Sequence, residues 1–441
     1  MVLFSRALPE ATYGSYQSFW VYLYLFGALA GVGIQVATLS YSAASLAYII
    51  RSISYRYRLL YAAFITIITL AFALFQQYQT QIAWLPAGLF FGLYVISMIT
   101  ESVLLIFKEF RSLLIVNLLY SIAFVVIHVV AVLQSHSLST LFSALTVLVA
   151  LKTMLVARTF IIALRRIESS STLSMRSVQK HWLHMYLYDL SQFLFKYIDK
   201  FILSLFLTKA LFAVYFNGSI DIPFLPILLG AVSSAALIHI SDNNRQSQER
   251  DIQTVLYASK ILTGIVFPLF AWLLFFRHEL FDVVFTEKYR AAVPVFLFAI
   301  GVIPLRCYGF TTLLQKRQKG NIINLGAFLD LLLAVVLMYP MYRLMGLPGV
   351  ALSFVISTYL QAAFYLYYTA KMVGRSMLSL IPAFYWVKIM LASIAVIGGL
   401  YYGLQQTSLK SNFILLLGML ATMTLSGVLL FFSLRRRHTS K

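Results

Sequence analysis

Long apolar segments alternate with short polar links over almost the whole chain. Each apolar segment has roughly 20 residues, which as a helix crosses about 30 Å of hydrocarbon. Backbone amides in lipid must find partners within their own segment, so helices are the only economical structure for these lengths. The pattern predicts an all-helical polytopic membrane protein. About thirteen spans are expected, near residues 15–40, 58–77, 82–101, 112–133, 139–164, 186–208, 211–240, 253–276, 291–314, 321–343, 347–370, 379–403 and 411–434.

The composition excludes a water-soluble globular domain, because 61% of the residues are hydrophobic and only 11% are charged. The single cysteine, Cys307, excludes an internal disulfide and a multi-cysteine metal site. No cofactor and no metal are predicted.

The basic residues concentrate on one side of the predicted membrane. If the links alternate between the two sides, one side holds about two thirds of the 34 Lys and Arg, and the positive-inside rule makes that side cytoplasmic. The C-terminus, which ends in Arg435, Arg436, Arg437 and Lys441, is then cytoplasmic. The net charge of +20 therefore indicates topology and contact with anionic membrane lipids, not nucleic-acid binding.

Two pairs of similar segments within the sequence predict an internal duplication. "SRALPEATY" (5–13) resembles "TKALFAVY" (208–215), and "LLIFKEFRSLLIVNL" (104–118) resembles "LLQKRQKGNIINL" (313–325), with matching sides in each pair. Two pseudo-symmetric six-helix lobes follow. The apolar stub "MVLF" predicts that the first helix is largely missing. The expected domains are an N-lobe at 1–165, a cytoplasmic inter-lobe linker at 166–185, a C-lobe at 186–371, and two additional helices with a basic tail at 372–441.

The sixth span carries charges that a lipid-facing helix would not tolerate. Asp189, Lys196 and Lys200 fall within about 40° of one another on one helix face. Lys196, Asp199 and Lys200 together would cost about 8 to 10 kcal/mol if they faced lipid. The pattern therefore predicts that they line a water-filled cavity or meet partners on other helices. The alternative is a structural network in which Asp199 neutralises both lysines.

Other spans contribute isolated charges. Lys152 lies near the cytoplasmic end of the fifth span, where it is either a cavity cation or a topology anchor. Asp221 is followed by two prolines, which indicates a bent helix that suits a cation, a hinge or a packing kink. Arg306 stands beside Pro304, and Asp330 lies mid-span. The two form a mutual salt bridge, or Asp330 carries a proton or sodium ion.

Some catalytic signatures are missing from the sequence. It has no P-loop, no H-E-x-x-H and no Gly-x-Ser-x-Gly motif. No link is longer than about 25 residues, which leaves little room for the extramembrane domain of a polysaccharide polymerase or glycosyltransferase. The chain is predicted not to be an enzyme.

Four segments resemble those of bacterial polysaccharide flippases in the multidrug/oligosaccharidyl-lipid/polysaccharide exporter superfamily. They are "SRALPEATYGSYQSFW", "YIDKFILSLFLTKALFAVYFNGSIDIP", "LFDVVFTEKYRAAVPVF" and "MGLPGVALSFVIST". They are similar to the family's Arg-x-Leu-x-x-x-x-Tyr-Gly, Asp-Lys, Glu-Lys-Tyr-x-x-Ala and Gly-x-x-Gly-x-Ala patterns. The likeness runs in the same order over nearly the whole chain.

The resemblance implies two lobes around a central cavity, two C-terminal helices and alternating access in the bacterial inner membrane. The implied substrate is an undecaprenyl-diphosphate-linked oligosaccharide, a repeat unit of O-antigen, capsule or exopolysaccharide. It also implies glycosyltransferases and a polysaccharide polymerase as partners. Cations would hold the diphosphate and sugar, and acidic residues would couple transport to a proton or sodium gradient. The cation candidates are Lys152, Lys196, Lys200 and Arg306; the acidic candidates are Asp199, Asp221 and Asp330.

Two alternatives to this function remain open. One is an exporter of drugs or small molecules in the same superfamily, which would typically use an acidic cavity for cationic compounds. The other is a membrane polysaccharide polymerase or glycosyltransferase.

Overall fold

The computed structural model describes residues 2–134, 137–168, 175–220, 222, 224–241 and 248–438, apart from a few side chains within these ranges. The described residues form helices joined by short links, with no strand among them. The all-helical prediction is therefore confirmed. The α-helices in the described part are α1 Val2–Ala7, α2 Glu10–Gly31, α3 Ile34–Ala37, α4 Ala43–Ser52, α5 Tyr55–Thr80, α6 Trp84–Ile106, α7 Phe110–Gln134, α8 Leu138–Arg166, α9 Met175–Phe206, α10 Lys209–Gly218, α11 Phe224–Ser241, α12 Gln248–Phe275, α13 Arg277–Val284, α14 Val293–Ala299, α15 Thr312–Lys316, α16 Gly320–Met345, α17 Leu347–Val373, α18 Ala383–Gln405 and α19 Ser411–His438.

Ten helical segments in the described residues are long and apolar enough to cross a membrane. Nine of these are single α-helices, and the tenth joins α14 to the 3₁₀ helices on both sides of it, Glu287–Ala292 and Ile300–Cys307. An eleventh span results if α2 and the segment Ile34–Ser40, which are bent by 56° at their junction, are counted as one. The protein is therefore a multi-pass membrane protein.

The remaining predicted spans fall on helices that are more polar or broken. The charged sixth span lies in α9, which has 32 residues and also extends over part of the segment expected to be a linker. The span predicted at 211–240 is divided into α10 and α11. Asp221 and Pro223, which were expected to bend this span, lie outside the described residues.

The chain divides into two compact units, Met1–Ala213 and Val214–Lys441. The lobe and linker boundaries expected from the sequence stay a prediction, as does the missing first helix.

An aromatic core holds the first unit together. Phe19 of α2 meets Phe142 of α8 with ring centroids 3.8 Å apart, and Phe72 of α5 stacks on Phe91 of α6 at 4.4 Å. All four rings are fully buried. Burial of such large apolar side chains is the main source of packing energy between these helices.

The break after α2 sets the position of α9. Val32 and Gly33 both adopt the left-handed conformation, with φ of 47° and 66°, which ends α2. The indole nitrogen of Trp182 on α9 donates a hydrogen bond of 2.8 Å to the Val32 carbonyl. A side chain at Gly33 would also overlap the backbone of Tyr186. The break therefore fixes the first half of α9 against α2.

The second unit is built on a hairpin of α16 and α17 and on a group formed by α12, α18 and α19. The turn of the hairpin is at Gly346, whose φ is +65°. Two carbonyls in α16, those of Ile323 and Gly326, accept hydrogen bonds from Tyr365 (2.7 Å) and Gln361 (3.3 Å) of α17. These bonds help to fix the helix face that carries Asp330.

Candidate functional site

An ion pair joins α6 and α8 in the first unit. The amine of Lys152 lies 2.8 Å from a carboxylate oxygen of Glu101, and the two side chains are 14% and 21% exposed. The hydroxyl of Thr153 donates to the Leu93 carbonyl at 3.1 Å, which keeps the two helices in register beside the pair. Sequence reasoning identified Lys152 but missed Glu101, because Glu101 stands at the end of a predicted span.

Neutral side chains complete the surroundings of this ion pair. Glu101 accepts hydrogen bonds from the Ser97 hydroxyl (2.6 Å) and from the side-chain amide of Asn117 on α7 (3.2 Å). The Lys152 amine also lies 4.5 Å from the centre of the Tyr120 ring, a cation–π distance. In this structure, Lys152 is therefore neutralised by a carboxylate that is itself hydrogen-bonded.

Four tyrosines from four helices lie next to this cluster. They are Tyr24 of α2, Tyr94 of α6, Tyr120 of α7 and Tyr197 of α9. Tyr24 and Tyr197 stack with ring centroids 5.1 Å apart. Tyr94 interacts electrostatically with the other three and with Glu101. We call these four side chains the tyrosine wall; it offers flat apolar rings together with hydroxyl groups that donate and accept hydrogen bonds.

Lys196 is the cation that α9 adds to the tyrosine wall. Its amine lies 5.3 Å from the centre of the Tyr197 ring and interacts electrostatically with Tyr24. The residue is exposed within the structure. Lys196 forms no ion pair with any carboxylate that the structure describes. It is therefore available to an anionic ligand.

Lys200 differs from Lys196 in its surroundings. Its amine lies 3.1 Å from a carboxylate oxygen of Asp199, and Asp199 itself is buried at 6% exposure. The two lysines therefore occupy one helix face with different partners, a carboxylate for Lys200 and an aromatic ring for Lys196. The transport roles expected for all three residues stay predictions.

Asp330 lies in the second unit, on the α16 face that meets α17. It is buried at 8% exposure and lines a cavity of about 400 Å³ whose other walls are mostly aliphatic and aromatic. The Ser357 hydroxyl donates to the Phe354 carbonyl at 3.0 Å. Ser357 and Arg306 both interact electrostatically with the Asp330 carboxylate. Arg306 is exposed, and the structure shows no contact ion pair between these two described residues.

Asp221, the remaining acidic candidate, lies outside the described residues. Among the described residues, no group of three or more His, Cys, Asp or Glu side chains is placed to hold a metal ion.

Comparisons with known proteins give similarity at the level of the fold. No protein-family model matches the chain, and no curated protein matches it in sequence. The structure is similar to that of "Lipid II flippase MurJ, inward closed conformation", with a TM-score of 0.68 and 13% identity over 100% of this chain and 97% of that chain. It is also similar to "Inward-facing conformation of a multidrug resistance MATE family transporter of the MOP superfamily", with a TM-score of 0.61 and 15% identity over 85% of this chain and 92% of that chain.

The chain therefore has the fold of these two membrane transporters.

Proposed function

We propose that the protein is a flippase that moves an undecaprenyl-diphosphate-linked oligosaccharide across the bacterial cytoplasmic membrane by alternating access. The observation that carries the proposal is Lys196, an exposed cation beside the tyrosine wall on a helix of a multi-pass protein. The fold that the chain shares with a lipid II flippase supports it. The substrate would be a repeat unit of O-antigen, capsule or exopolysaccharide.

Lys196 and the tyrosine wall together suit such a substrate. A diphosphate carries negative charge that an unpaired lysine attracts strongly in a partly dehydrated site. Sugar rings have apolar faces that pack on aromatic rings, while their hydroxyls match the hydroxyls of Tyr24, Tyr94, Tyr120 and Tyr197. Lys196 would hold the diphosphate, and the tyrosine wall would contact the first sugar.

Lys152 would join the diphosphate only by leaving Glu101. In the structure its amine is 2.8 Å from that carboxylate, so an anionic substrate would compete with Glu101 for the same cation. Such an exchange links substrate binding to the packing of α6 against α8. Lys200 and Arg306 would contribute further positive charge.

Transport against a gradient requires an energy source, and we propose a proton or sodium gradient. The coupling candidates are Asp199, Asp221 and Asp330. The structure describes Asp199 and Asp330, and Asp330 suits this role better. It is buried beside a largely apolar cavity, where Ser357 and Arg306 interact with it electrostatically. Asp199 already has Lys200 as a contact partner.

The proposed function places the protein between two classes of enzyme. Glycosyltransferases would build the lipid-linked unit on the cytoplasmic side, and a polysaccharide polymerase would consume it outside. The C-terminus would be cytoplasmic, as the distribution of basic residues predicts.

A proteoliposome assay tests the proposal. The protein is reconstituted with a fluorescent undecaprenyl-diphosphate oligosaccharide, and translocation is read from quenching of the outer leaflet. We expect transport that Lys196→Met lowers by about tenfold, in line with the loss of a charge-assisted contact. Lys410→Met, which removes an exposed lysine between α18 and α19, is the matched control. The same rate in liposomes with and without the protein would overturn the proposal.

One observation favours a second candidate, the export of lipophilic cations. The cavity at Asp330 combines a buried carboxylate with aliphatic and aromatic walls, a combination that suits a hydrophobic amine. Efflux of a cationic dye that depends on Asp330 and is unaffected by Lys196→Met would favour this candidate.

A further inference from the structure

Within the first unit, α2 contacts α9 and the start of α10 at three levels. At the middle level Tyr24 of α2 stacks on Tyr197 of α9, beside Lys196. Gly14 comes before Tyr24 by about 15 Å of helix, and Val32 follows Tyr24 by about 12 Å. Both of these positions also contact α9 or α10. The proposed binding position at Lys196 therefore lies between two other contacts, one towards each end of α2.

One of these contacts joins the first half of α2 to the start of α10. A side chain at Gly14 would overlap the Lys209 carbonyl, so the two backbones touch. The Lys209 amine donates to the Ser204 carbonyl at 3.1 Å. It also reaches the hydroxyls of Tyr22 at 3.4 Å and Ser18 at 3.5 Å, so each of its three protons has an oxygen. Lys209 stands in a link on the side that is poor in basic residues and is predicted to face outward. We call this the outer contact.

Aromatic rings from three helices lie next to the outer contact, on the side of Lys196. The fully buried ring of Tyr22 has its centroid 5.0 Å from that of Phe75 on α5 and 6.0 Å from that of Phe201 on α9. Phe75 and Phe201 also meet each other, at 6.1 Å. Packed rings leave no room for water, so they close the space between α2, α5 and α9 at this level.

The other contact joins the end of α2 to the first half of α9. The indole nitrogen of Trp182 donates to the Val32 carbonyl at 2.8 Å, and its ring stacks on Tyr41 with centroids 6.4 Å apart. A side chain at Gly33 would overlap the backbone of Tyr186. These residues lie towards the side that is rich in basic residues and is predicted to be cytoplasmic. We call this the inner contact.

We propose that the outer and inner contacts are the two gates of the transport path, and that Lys209 and Trp182 are the positioning residues that hold them closed on either side of Lys196. The inference rests on the alternating access of the proposed function, because a substrate at Lys196 would enter or leave only when one contact opens. In the predicted lobes, Gly14 belongs to the N-lobe and Lys209 to the C-lobe, so the outer contact lies where the two lobes would separate.

The partners of Lys209 suit a contact that opens and closes. All three are uncharged oxygens, and water can replace each of them once the helices separate. Separation from a buried carboxylate would instead leave a charge without compensation, which is strongly unfavourable. The inner contact likewise depends on one directional bond, from Trp182 to Val32, which water can replace.

Cysteine labelling from each side of the membrane tests the inference. The reporter is Lys196→Cys in a Cys307→Ala background, which removes the single native cysteine. A membrane-impermeant maleimide is added to intact cells for the outer side and to inside-out vesicles for the inner side, and each rate is compared with labelling after denaturation. Lys209→Met should raise the outer rate about fivefold without raising the inner rate, because it leaves buried oxygens unpaired until the helices separate. Trp182→Phe should raise the inner rate by a similar factor without raising the outer rate.

Two further variants control for other effects. Lys410→Met, which removes an exposed lysine from another link on the predicted outer side, should change neither rate. Tyr22→Phe keeps the ring and removes one partner of Lys209, so it should raise the outer rate by a smaller factor, and it decides the outcome if Lys209→Met fails to fold.

The inference is overturned if neither Lys209→Met nor Trp182→Phe changes a rate, or if each raises both rates, as a general loosening of the fold would. Labelling that shifts as expected in a protein that transports no lipid-linked oligosaccharide would refute the flippase and leave the two gates standing. Transport with unchanged labelling would refute the gates and leave the flippase standing.

Discussion

Lys152 and Glu101 are 51 positions apart in sequence, yet their charged atoms lie 2.8 Å apart across the contact between α8 and α6. Removing one partner of a buried pair leaves a charge without compensation, which typically costs 3 to 5 kcal/mol when the site is fully buried. Here both side chains are partly exposed, so we expect about 1 to 2 kcal/mol. Glu101→Gln should therefore lower the melting temperature of the detergent-solubilised protein.

A double-mutant cycle tests whether Glu101 and Lys152 interact directly or whether each substitution destabilises the protein independently. Adding Lys152→Met to Glu101→Gln should recover part of the lost stability, because no uncompensated charge remains. The control is Glu287→Gln, at a carboxylate whose side chain is 78% exposed, which should change the melting temperature little. Additive effects of the Glu101 and Lys152 substitutions would contradict a direct interaction.

Lys196 and Lys200 should respond differently to the same substitution. Lys196→Met removes an exposed cation, so we expect a fall in oligosaccharide transport with little change in melting temperature. Lys200→Met removes the amine that lies 3.1 Å from the carboxylate of the buried Asp199, so the melting temperature should fall as well. Both properties are measured on the same preparations. Equal loss of stability in the two variants would show that their environments are the same in solution.

The sequence predicted the spans well because the length and hydropathy of a membrane helix can be recognised in the sequence. It also made Lys152, Lys196 and Lys200 candidate site residues, since charges in such segments are conspicuous; their roles stay predictions. It could not assign Glu101 to Lys152, because the rotation of each helix about its own axis depends on packing between helices. The same limit applies to Lys209. The sequence places it in a link between two spans, whereas in the structure it lies against Gly14 and Tyr22.

The break at Val32 and Gly33 was not predicted either. The run from 15 to 40 contains no charged residue, and hydropathy alone does not reveal a residue in the left-handed conformation. The position of this break thus depends on local backbone geometry, which the hydrophobic pattern of the sequence does not predict.

Gly33→Ala tests the importance of this break. Position 33 has φ of +66° and a side chain there would meet the backbone of Tyr186, so we expect a loss of about 1 to 3 kcal/mol of stability. Gly399→Ala is the matched control, because that glycine lies in α18 with open space around it and alanine favours a helix. The measurement is thermal unfolding of both variants. Equal stability of the two variants would contradict the close contact between the break and α9.

Asp330→Asn should change the dependence of transport on the ion gradient. The substitution keeps the size of the side chain but removes the ionisable group. If Asp330 carries the coupling ion, the variant should transport at the same rate with and without a gradient, while the wild type slows when ionophores collapse it. Asp282→Asn, at a carboxylate paired with Arg290 in the same unit, provides the control. A variant that keeps the wild-type gradient dependence would exclude Asp330 from coupling.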